Sequence, residues 1–562
     1  MNKKGYKCLI VSDFTIDNFA ALLSNDEELP EIEAYKIPYG QVMPVLINEK
    51  DECWKKKYDL VIVWTQPHSV IESLNDVLQY KIVDKEKLFN ELDNYLSLLT
   101  RLSERVPTVI VPTWVRPFLN RGFGIIDMKP SFGLGAIIMI MNLKLMEHFN
   151  EFKNTFILDA NQWIAKIHSD AYNPKMWYMG KIPFTNEIFS EAVKDVKAVM
   201  NGIGGSAKKC IVSDLDDTIW GGIVGDDGWE NLNIGGHNIE GEAFVDFQKC
   251  LKALKNRGII LAIVSKNEES IAMEAIERHP EMILKKSDFS GWRINWNDKA
   301  QNISELVNEL NIGLQSVVFL DDNPVERDRV RDALPEVLVP ELPKDKSLYA
   351  YALQELRCFD VPYLSQEDLK RSEMYNSERK RIELKDKVGS LEDWLKTLEM
   401  KIIIEPFKSE NLDRITQLIN KTNQMNLSTR RLTSNEIINW NKNESTWFKT
   451  LRVSDKFGDS GLTGIVSLQK TDEDVKFIDF ILSCRVMGRK IEEIMVHEAI
   501  EHAKNIGAKM IYAEYLPTKK NKPCFDFWLS SGFKYEKVSN RFYWDLKNEY
   551  RLHDFARIEI EQ

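Results

Sequence analysis

The first part of the chain alternates short apolar runs with longer stretches in which apolar residues recur at helical spacing. The runs YKCLIVS, YDLVIVW and PTVIVPT have the length and the β-branched content of buried strands. Charged segments such as Lys85–Glu104 have the period of amphipathic helices. Strands and helices that alternate in this way pack as a layered α/β sheet, which we predict over residues 1–206. The glycine-rich stretch NGIGGSAKK at its end indicates a linker.

The second segment, residues 207–364, has the pattern of a doubly wound parallel sheet. We predict strands at Cys210–Ser213, Gly258–Ser265 and Ser316–Leu320. The predicted helices are Gly241–Arg257, Ser270–Glu277, Lys299–Leu310 and Arg327–Leu334. In such sheets ligands bind beyond the carboxyl ends of the strands, so those positions are where chemistry is expected.

The remainder of the chain divides into a charged, helix-prone connector over residues 365–399 and a mixed α+β domain over residues 400–562. For this last domain we predict a helix at Ile491–Asn505. The predicted strands are Lys401–Glu405, Gly464–Leu468, Lys476–Leu482 and Lys509–Ala513. The fold class expected for the whole chain is therefore α/β with three domains.

Composition narrows the class of protein. A chain of 562 residues is too long for one domain, and 43% apolar with 29% charged residues is ordinary for a globular protein. A net charge of -11 argues against bulk binding to nucleic acid or to an anionic membrane. Seven scattered cysteines without a C-x-x-C pair indicate a reducing compartment. Because no apolar stretch approaches the roughly 20 residues that span a bilayer, we expect a soluble, cytoplasmic protein.

The stretch IVSDLDDTIWGG places two carboxylates directly after the first strand of the second segment. From the carboxyl end of a parallel strand, Asp214 projects into the crevice as a nucleophile towards phosphorus. Asp216 lies two residues further on, close enough to protonate a leaving oxygen and later to deprotonate water. A pair of carboxylates that merely caps the strand end is the alternative.

Three later features favour the chemical interpretation. Ser265 ends the strand in LAIVSKN and offers a hydroxyl to a phosphate oxygen. Lys299 in WNDKA begins a helix, where a cation and unpaired backbone amides neutralise a phosphoryl group. Asp321 and Asp322 in VVFLDDNP supply the oxygen ligands that magnesium prefers.

These four motifs resemble those of the haloacid dehalogenase (HAD) superfamily of aspartate-nucleophile phosphatases. The resemblance implies that Asp214 is the nucleophile and Asp216 the acid/base. It implies phosphate contacts from Thr218, Ser265, Lys266, Asn267 and Lys299. It also implies a Mg2+ site made by Asp214, Asp216, Asp321 and Asp322. The short gaps between the motifs leave no room for a large cap domain, and an open crevice suits a phosphate displayed on a bulky partner.

A narrower resemblance lies in DLDDTIWGGIVGDDGWENLNIG, SKN and FLDDNPVERD, which are similar to the FkbH-like proteins. That family loads a three-carbon unit from 1,3-bisphosphoglycerate onto the phosphopantetheine arm of an acyl carrier protein and removes the remaining phosphate. Its longer members carry a preceding SGNH-like domain and a following GNAT-like acyltransferase domain, and stretches such as YNPKMWYMGKIPF and NKPCFDFWLSSGF resemble those flanks. Asp217 stands where asparagine is usual in the family.

The GNAT-like segment departs from a working acetyltransferase in two places. Lys490 occupies a glycine position of the turn RVMGRK, and Trp528 replaces the general-acid tyrosine. We instead expect Cys484 to hold the acyl group as a thioester, with its pKa lowered by neighbouring cations. A small buried core cysteine is the alternative. The candidate contacts to the pantetheine arm are Arg485, Gly488 and Arg489.

The first segment has Ser12, Asp13 and His68 but neither a G-D-S-like block nor a late D-x-x-H. We therefore expect a non-catalytic scaffold or docking domain there. The leading functional hypothesis is a bifunctional Mg2+-dependent glyceryltransferase and phosphatase that serves polyketide-type biosynthesis. Two rivals stay open: a phosphatase of a small phosphorylated metabolite with an inert C-terminal domain, and a carrier-protein docking scaffold.

Overall fold

The protein is described here by a computed structural model. It describes residues 5–561 with gaps at 82, 119, 237, 311, 365–368, 370–373, 375–376, 378–379, 382–383, 386, 444, 519 and 553. The chain forms two compact units. Unit 1 comprises the residues up to Ala207 together with Leu356–Tyr363, and unit 2 comprises Lys208–Glu355 and the residues from Leu364 onwards. Much of the predicted connector, residues 365–399, lies outside the described residues; the described part contains the helix Leu391–Thr397.

Unit 1 is built on a five-stranded, all-parallel sheet in the order β2-β1-β3-β4-β5. The strands are β1 Tyr6–Ser12, β2 Ile32–Lys36, β3 Leu60–Trp64, β4 Val109–Pro112 and β5 Thr155–Leu158. Successive side chains of a strand point to opposite faces, so Cys8 and Ile10 pack into one hydrophobic core while Leu9 and Val11 pack into another. The sheet is therefore covered on both faces, and its α/β architecture agrees with the layered sheet predicted for residues 1–206. The α-helices of unit 1 are Asp17–Asn25, Val42–Ile47, Pro67–Val70, Leu74–Leu78, Lys85–Arg105, Leu134–Phe149, Ala160–Ile167, Pro174–Gly180 and Asn186–Ile203.

Unit 2 begins with a four-stranded parallel sheet in the order β8-β7-β6-β9. Its strands are β6 Cys210–Ser213, β7 Ile260–Ser265, β8 Phe289–Ile294 and β9 Val317–Leu320. Strand β6 lies between β7 and β9, which places the carboxyl ends of these three strands side by side. Around this sheet lie the helices Val224–Asp227, Ile239–Asn256, Glu269–Arg278, Lys299–Glu309, Pro324–Ala333 and Tyr349–Gln354.

The C-terminal part of unit 2 is a larger, mostly antiparallel sheet in the order β16-β17-β15-β14-β13-β12-β10-β18. Its strands are β10 Met400–Pro406, β11 Met425–Asn426, β12 Thr446–Asp455, β13 Gly458–Lys470, β14 Val475–Leu482, β15 Met510–Glu514, β16 Lys534–Glu536, β17 Arg541–Asp545 and β18 Ala556–Ile560. Its helices are Leu412–Lys421, Ser434–Asn441, Ile491–Asn505 and Lys522–Ser530.

Strand β14 changes its neighbour along its length. Parallel pairing with β15 covers Val475–Phe477, whereas β11 pairs with Ile481 and Leu482. A backbone hydrogen bond of 3.2 Å from Leu427 N to Phe480 O continues this pairing. The C-terminal part of this edge of β14 is thus paired with β11 and Leu427 instead of with β15.

No helix among the described residues is both long and apolar enough to cross a lipid bilayer.

Candidate active site

Three carboxylates converge where β6 and β9 end. Asp214, Asp321 and Asp322 each offer an oxygen, and these oxygens all lie within 4.8 Å of one another. The ammonium group of Lys299, at the start of the helix Lys299–Glu309, lies 3.0 Å from Asp214 Oδ2 and 2.6 Å from Asp321 Oδ2. The predicted pairing of an acidic strand end with a basic helix start is thus present in the fold.

The electrostatics of this cluster favour a bound cation. Burial, followed by the charge of Asp214, raises the pKa of Asp321 to about 7 even though Lys299 lies beside it. Burial acts to lower the pKa of Lys299, but the charges of Asp214 and Asp321 outweigh it and raise the pKa, so the lysine stays charged. Asp214 Oδ1 is buried and has no hydrogen-bond partner. A buried carboxylate oxygen of this kind is costly unless a cation binds it, and the all-oxygen donor set suits Mg2+.

Asp216 does not join this cluster through its side chain. Its Oδ1 accepts hydrogen bonds from Trp220 Nε1 at 2.9 Å and from Val224 N at 3.1 Å, and its Oδ2 accepts one from Asn267 Nδ2 at 2.8 Å. The sequence-based assignment of its carboxylate as a metal ligand is therefore corrected, because these donors hold both oxygens elsewhere. Burial, with smaller contributions from Asp214 and Asp217, raises the pKa of Asp216. That is the direction a general acid requires.

Thr218 joins the two acidic motifs. Its hydroxyl donates to Asp322 Oδ1 at 3.3 Å and accepts from Asp322 N at 3.1 Å. Thr218 is fully buried, so its role in this geometry is to hold Asp322 in place. Between the motifs Asp217 adopts a left-handed backbone with φ of 52°, a conformation that aspartate and asparagine tolerate better than most residues. The replacement of asparagine by Asp217 therefore preserves the turn.

The other predicted phosphate-binding residues lie near the end of β7. Ser265 is buried at the last position of that strand, and Asn267 is buried against Asp216. Lys266 instead forms an ion pair of 2.6 Å with Glu326. Asn267 thus positions the predicted acid in this structure, while the Lys266 ammonium is directed to the helix that follows β9.

Two basic side chains that the motif analysis did not identify stabilise the loops that carry the acidic residues. Arg327 donates to the main-chain oxygens of Asp321 and Asp322 at 2.8 and 2.7 Å, which fixes the turn that carries both carboxylates. Lys346 Nζ donates to Asp217 O at 2.7 Å and lies 3.7 Å from Asp322 Oδ2. Arg327 lies within the motif FLDDNPVERD, so the sequence could have identified it. The position of Lys346, in contrast, follows only from the three-dimensional fold.

The structure does not give Cys484 the environment that the sequence predicted. Cys484 is exposed and begins the short turn Cys484–Val486 after β14. Although the residue reaches the surface, the protein around its sulfur desolvates the thiol and raises its pKa, and this outweighs the charges of Arg485, Lys209 and Arg414. The expectation of a lowered thiol pKa is therefore wrong.

Gly488 has a left-handed backbone, with φ of 73°. Arg489 is 1% exposed, lies 3.3 Å from Asp455 and donates to the Arg485 main chain. Its predicted contact with a pantetheine arm is corrected, because its guanidinium is committed to the interior.

Comparison with known proteins places this geometry in a family. No family model matches the chain, and no curated protein matches it. The crystal structure of the N-terminal part of BF1531 from Bacteroides fragilis, which contains a phosphatase domain complexed with Mg, is 32% identical. The match covers 64% of this chain and 95% of that one, with a TM-score of 0.58. The chain belongs to the BF1531 family.

Two acetyltransferases were also found as structural matches. Spermidine N-acetyltransferase from Vibrio cholerae, solved with CoA and spermine, is 15% identical over 26% of this chain and 96% of its own, with a TM-score of 0.22. The ribosomal-protein-S18-alanine N-acetyltransferase from Escherichia coli is 8% identical over 25% of this chain and 90% of its own, with a TM-score of 0.20.

Proposed function

We propose that this member of the BF1531 family is a bifunctional Mg2+-dependent glyceryltransferase and phosphatase. It would take a glyceryl unit from 1,3-bisphosphoglycerate, remove the remaining phosphate and load the unit on an acyl carrier protein for polyketide-type biosynthesis. One observation carries the phosphatase half of the proposal: the buried cluster of Asp214, Asp321 and Asp322 around Lys299, in a relative of a phosphatase domain complexed with Mg. The glyceryl and carrier-protein half rests on the resemblance of the sequence to FkbH-like proteins.

In the phosphatase half, Asp214, Asp321 and Asp322 would hold the metal. Bound Mg2+ would neutralise the charge of the transferring phosphoryl group. An Asp214 oxygen attacks phosphorus, the phosphorus–oxygen ester bond breaks, and Asp216 donates its proton to the leaving alcohol. Asp216 then takes a proton from water, whose oxygen attacks the aspartyl phosphate, releases inorganic phosphate and restores Asp214. Lys299 keeps its positive charge at the reacting oxygens throughout.

In the transferase half, the sulfur of Cys484 attacks the acyl carbon of the acyl phosphate, and the carbon–oxygen bond to phosphate breaks. The thiol of the carrier's phosphopantetheine then attacks the resulting thioester and returns Cys484 to its starting state. The exposure of Cys484 just after β14 supports this role. Its raised pKa requires that the thiol lose its proton as it attacks, and the departing phosphate takes that proton.

One experiment distinguishes the three candidate functions. The full chain is incubated with Mg2+, 1,3-bisphosphoglycerate and phosphopantetheinylated carrier protein, and the carrier is then weighed intact by mass spectrometry. A dephosphorylated glyceryl adduct supports the proposal. Phosphate release without an adduct supports the metabolite phosphatase, and neither product supports the docking scaffold. A Cys484→Ala variant that loads the carrier at full rate removes the covalent role of that residue.

A further inference from the structure

One helix of unit 1 exposes large apolar side chains that the proposed chemistry does not use. The helix Leu134–Phe149 buries one face in a hydrophobic core, but Met139, Leu143 and Met146 are 60%, 50% and 46% exposed. Side chains three and four residues apart are neighbours on a helix, so these three form a continuous line along its outer face. The outer face of a helix in a globular protein normally carries polar side chains.

The turn before this helix extends the line of apolar side chains. Asp127 fixes the turn to the helix, because its Oδ1 accepts from Leu134 N at 3.0 Å and its Oδ2 accepts from Gly135 N at 2.8 Å. A Cβ added to Gly135 would lie 3.4 Å from the sulfur of Met128, so the Met128 side chain lies over the first turn of the helix. Met128 is 62% exposed. The apolar stripe of unit 1 therefore consists of Met128, Met139, Leu143 and Met146.

The shape of the apolar stripe indicates what covers it. Contiguous apolar side chains on the surface of a globular protein mark a contact with another molecule. From Gly135 to Met146 the stripe runs about 17 Å along the helix axis and is about one side chain wide. A straight, narrow stripe of this kind matches the apolar face of a second helix.

The two ends of the apolar stripe carry opposite charges. Glu147 lies four residues beyond Leu143, on the same face of the helix, and is exposed. Lys129 follows Met128 in the turn at the other end and is also exposed. Within the described part of the chain, neither side chain takes part in an ion pair.

These features complement one another when two copies of the helix lie antiparallel. Gly135, Met139, Leu143 and Glu147 follow one another at intervals of four residues, so they form one row on the helix surface. A two-fold axis through the middle of this row places Met139 against Leu143 of the second copy. It also places Glu147 at the end of the second helix that carries Lys129. A parallel arrangement would instead bring the two Glu147 carboxylates together, and contact between like charges weakens association.

We propose that the apolar stripe is the contact of a two-fold symmetric homodimer. The helix Leu134–Phe149 of one copy packs antiparallel against the same helix of the other, and each contact occurs twice, as in isologous interfaces. This inference is independent of the proposed phosphatase and transferase activities, and its test needs no substrate.

Sedimentation velocity of the full chain over a range of protein concentrations measures the association. The wild-type chain should form particles of two copies. Leu143→Glu places a carboxylate at the centre of the contact and should raise the dissociation constant of the dimer at least about a hundredfold. Because Leu143 is half exposed in the single chain, the variant should stay folded, which circular dichroism checks. The matched control is Met179→Glu, since Met179 is 87% exposed on another helix, Pro174–Gly180, and its variant should dimerise like wild type.

Exchange of the end charges tests the antiparallel arrangement. Glu147→Lys and Lys129→Glu should each weaken the dimer about tenfold, because each creates a like-charge contact at both ends of the interface. The double variant restores opposite charges and should regain the wild-type dissociation constant. A wild-type chain that stays monomeric at every concentration overturns the proposal and leaves the stripe to another protein. Dimerisation of Leu143→Glu at wild-type strength, or a double variant no tighter than either single variant, also overturns it.

Discussion

At the scale of single residues, Asp214 combines two properties that its neighbours do not share. One of its oxygens is paired with Lys299, and the other is buried without a hydrogen-bond partner. Its main-chain N–H donates to Leu320 O at 2.9 Å, which ties it to the neighbouring strand end. A carboxylate that is fixed in position between Lys299 and the expected metal site suits attack on an electrophile held there.

Replacement of Asp214 by asparagine should lower hydrolysis of the phosphate ester at least a thousandfold, because an amide cannot form the aspartyl phosphate. Removal of the phosphate ester from the phosphoglyceryl adduct of the carrier, followed by intact mass with Mg2+ present, measures the loss, and circular dichroism checks the fold. Asp226→Asn is the matched control, since Asp226 is an exposed aspartate in the nearby helix Val224–Asp227. Ester hydrolysis in Asp214→Asn within tenfold of wild type would falsify the assignment of the nucleophile.

Trp220 acts on the chemistry through Asp216. Removal of its N–H in Trp220→Phe deletes a hydrogen bond that lowers the pKa of Asp216. We expect kcat to fall about tenfold with KM nearly unchanged, and the alkaline limb of the pH–rate profile to move to higher pH. Trp292→Phe is the control, because the Trp292 N–H donates to Glu269 instead. A change in KM alone, or an unmoved alkaline limb, would contradict this positioning role.

At the scale of elements, the helix Pro324–Ala333 holds the metal-binding turn through one of its arginines. Arg327 reaches back to the main-chain oxygens of Asp321 and Asp322, and its other terminal nitrogen donates to Glu341 at 2.8 Å. Arg331, one helical turn further along, pairs with Asp328 and Glu341 but not with the turn that carries Asp321 and Asp322. The two arginines therefore share a helix and a partner and differ in contact with the site.

This difference defines a paired test. Arg327→Met should lower phosphate release about tenfold or more and weaken the response to Mg2+, because the turn that presents both carboxylates loses two charge-assisted hydrogen bonds. The expected loss of stability is about 2 kcal/mol. Arg331→Met should leave the Mg2+ dependence unchanged. Titration of activity against Mg2+ concentration for both variants checks the prediction, and equal effects of the two changes would rule it out.

Elements with a clear strand or helix pattern of apolar residues were predictable from the sequence. The strands β1 and β6 and the helix Ile491–Asn505 match their predictions residue for residue. Strand β8, Phe289–Ile294, was missed because FSGWRI interrupts its apolar residues with serine, glycine and arginine. Its strand conformation depends on pairing with β7, which a local pattern does not contain.

The candidate site was predictable to the extent that its residues stand at strand ends. Asp214, Ser265 and Asp321 come together because adjacent parallel strands end at the same edge. The turning of the Asp216 carboxyl towards Trp220 and the burial of Arg489 beside Asp455 are decided by side-chain packing. Residue spacing carries no information on such contacts.

At the scale of the whole molecule, a distant part of the chain completes unit 1. The segment Leu356–Tyr363 belongs to unit 1 although it follows the four-stranded sheet of unit 2 in sequence. Arg357 of this segment pairs with Glu191 and Asp195 on the helix Asn186–Ile203. Glu191 also pairs with Lys166 at 2.9 Å and Lys194 at 2.8 Å, so one buried carboxylate joins three cations.

This cluster makes the stability of unit 1 depend on pH. Burial acts to raise the pKa of Glu191, but Lys194, Lys166 and Arg357 outweigh it and lower the pKa from 4.5 to about 2. Since the folded-state pKa lies below the unfolded value, the stabilisation is complete above about pH 5 and is lost as the pH falls towards 2. Solvent screening at the partly exposed cations reduces the contribution to about 2 kcal/mol.

Glu191→Gln should therefore destabilise unit 1 by about 2 kcal/mol at pH 7 and by much less at pH 3, where the wild-type carboxylate has lost part of its advantage. Hydrogen exchange in peptides from the helix Asn186–Ile203, compared between variant and wild type at each pH, isolates unit 1 from the rest of the chain. Glu187→Gln is the control, because Glu187 is exposed on the same helix. A difference between Glu191→Gln and wild type that stays constant from pH 7 to pH 3 would show that the charge of Glu191 is not what stabilises the unit.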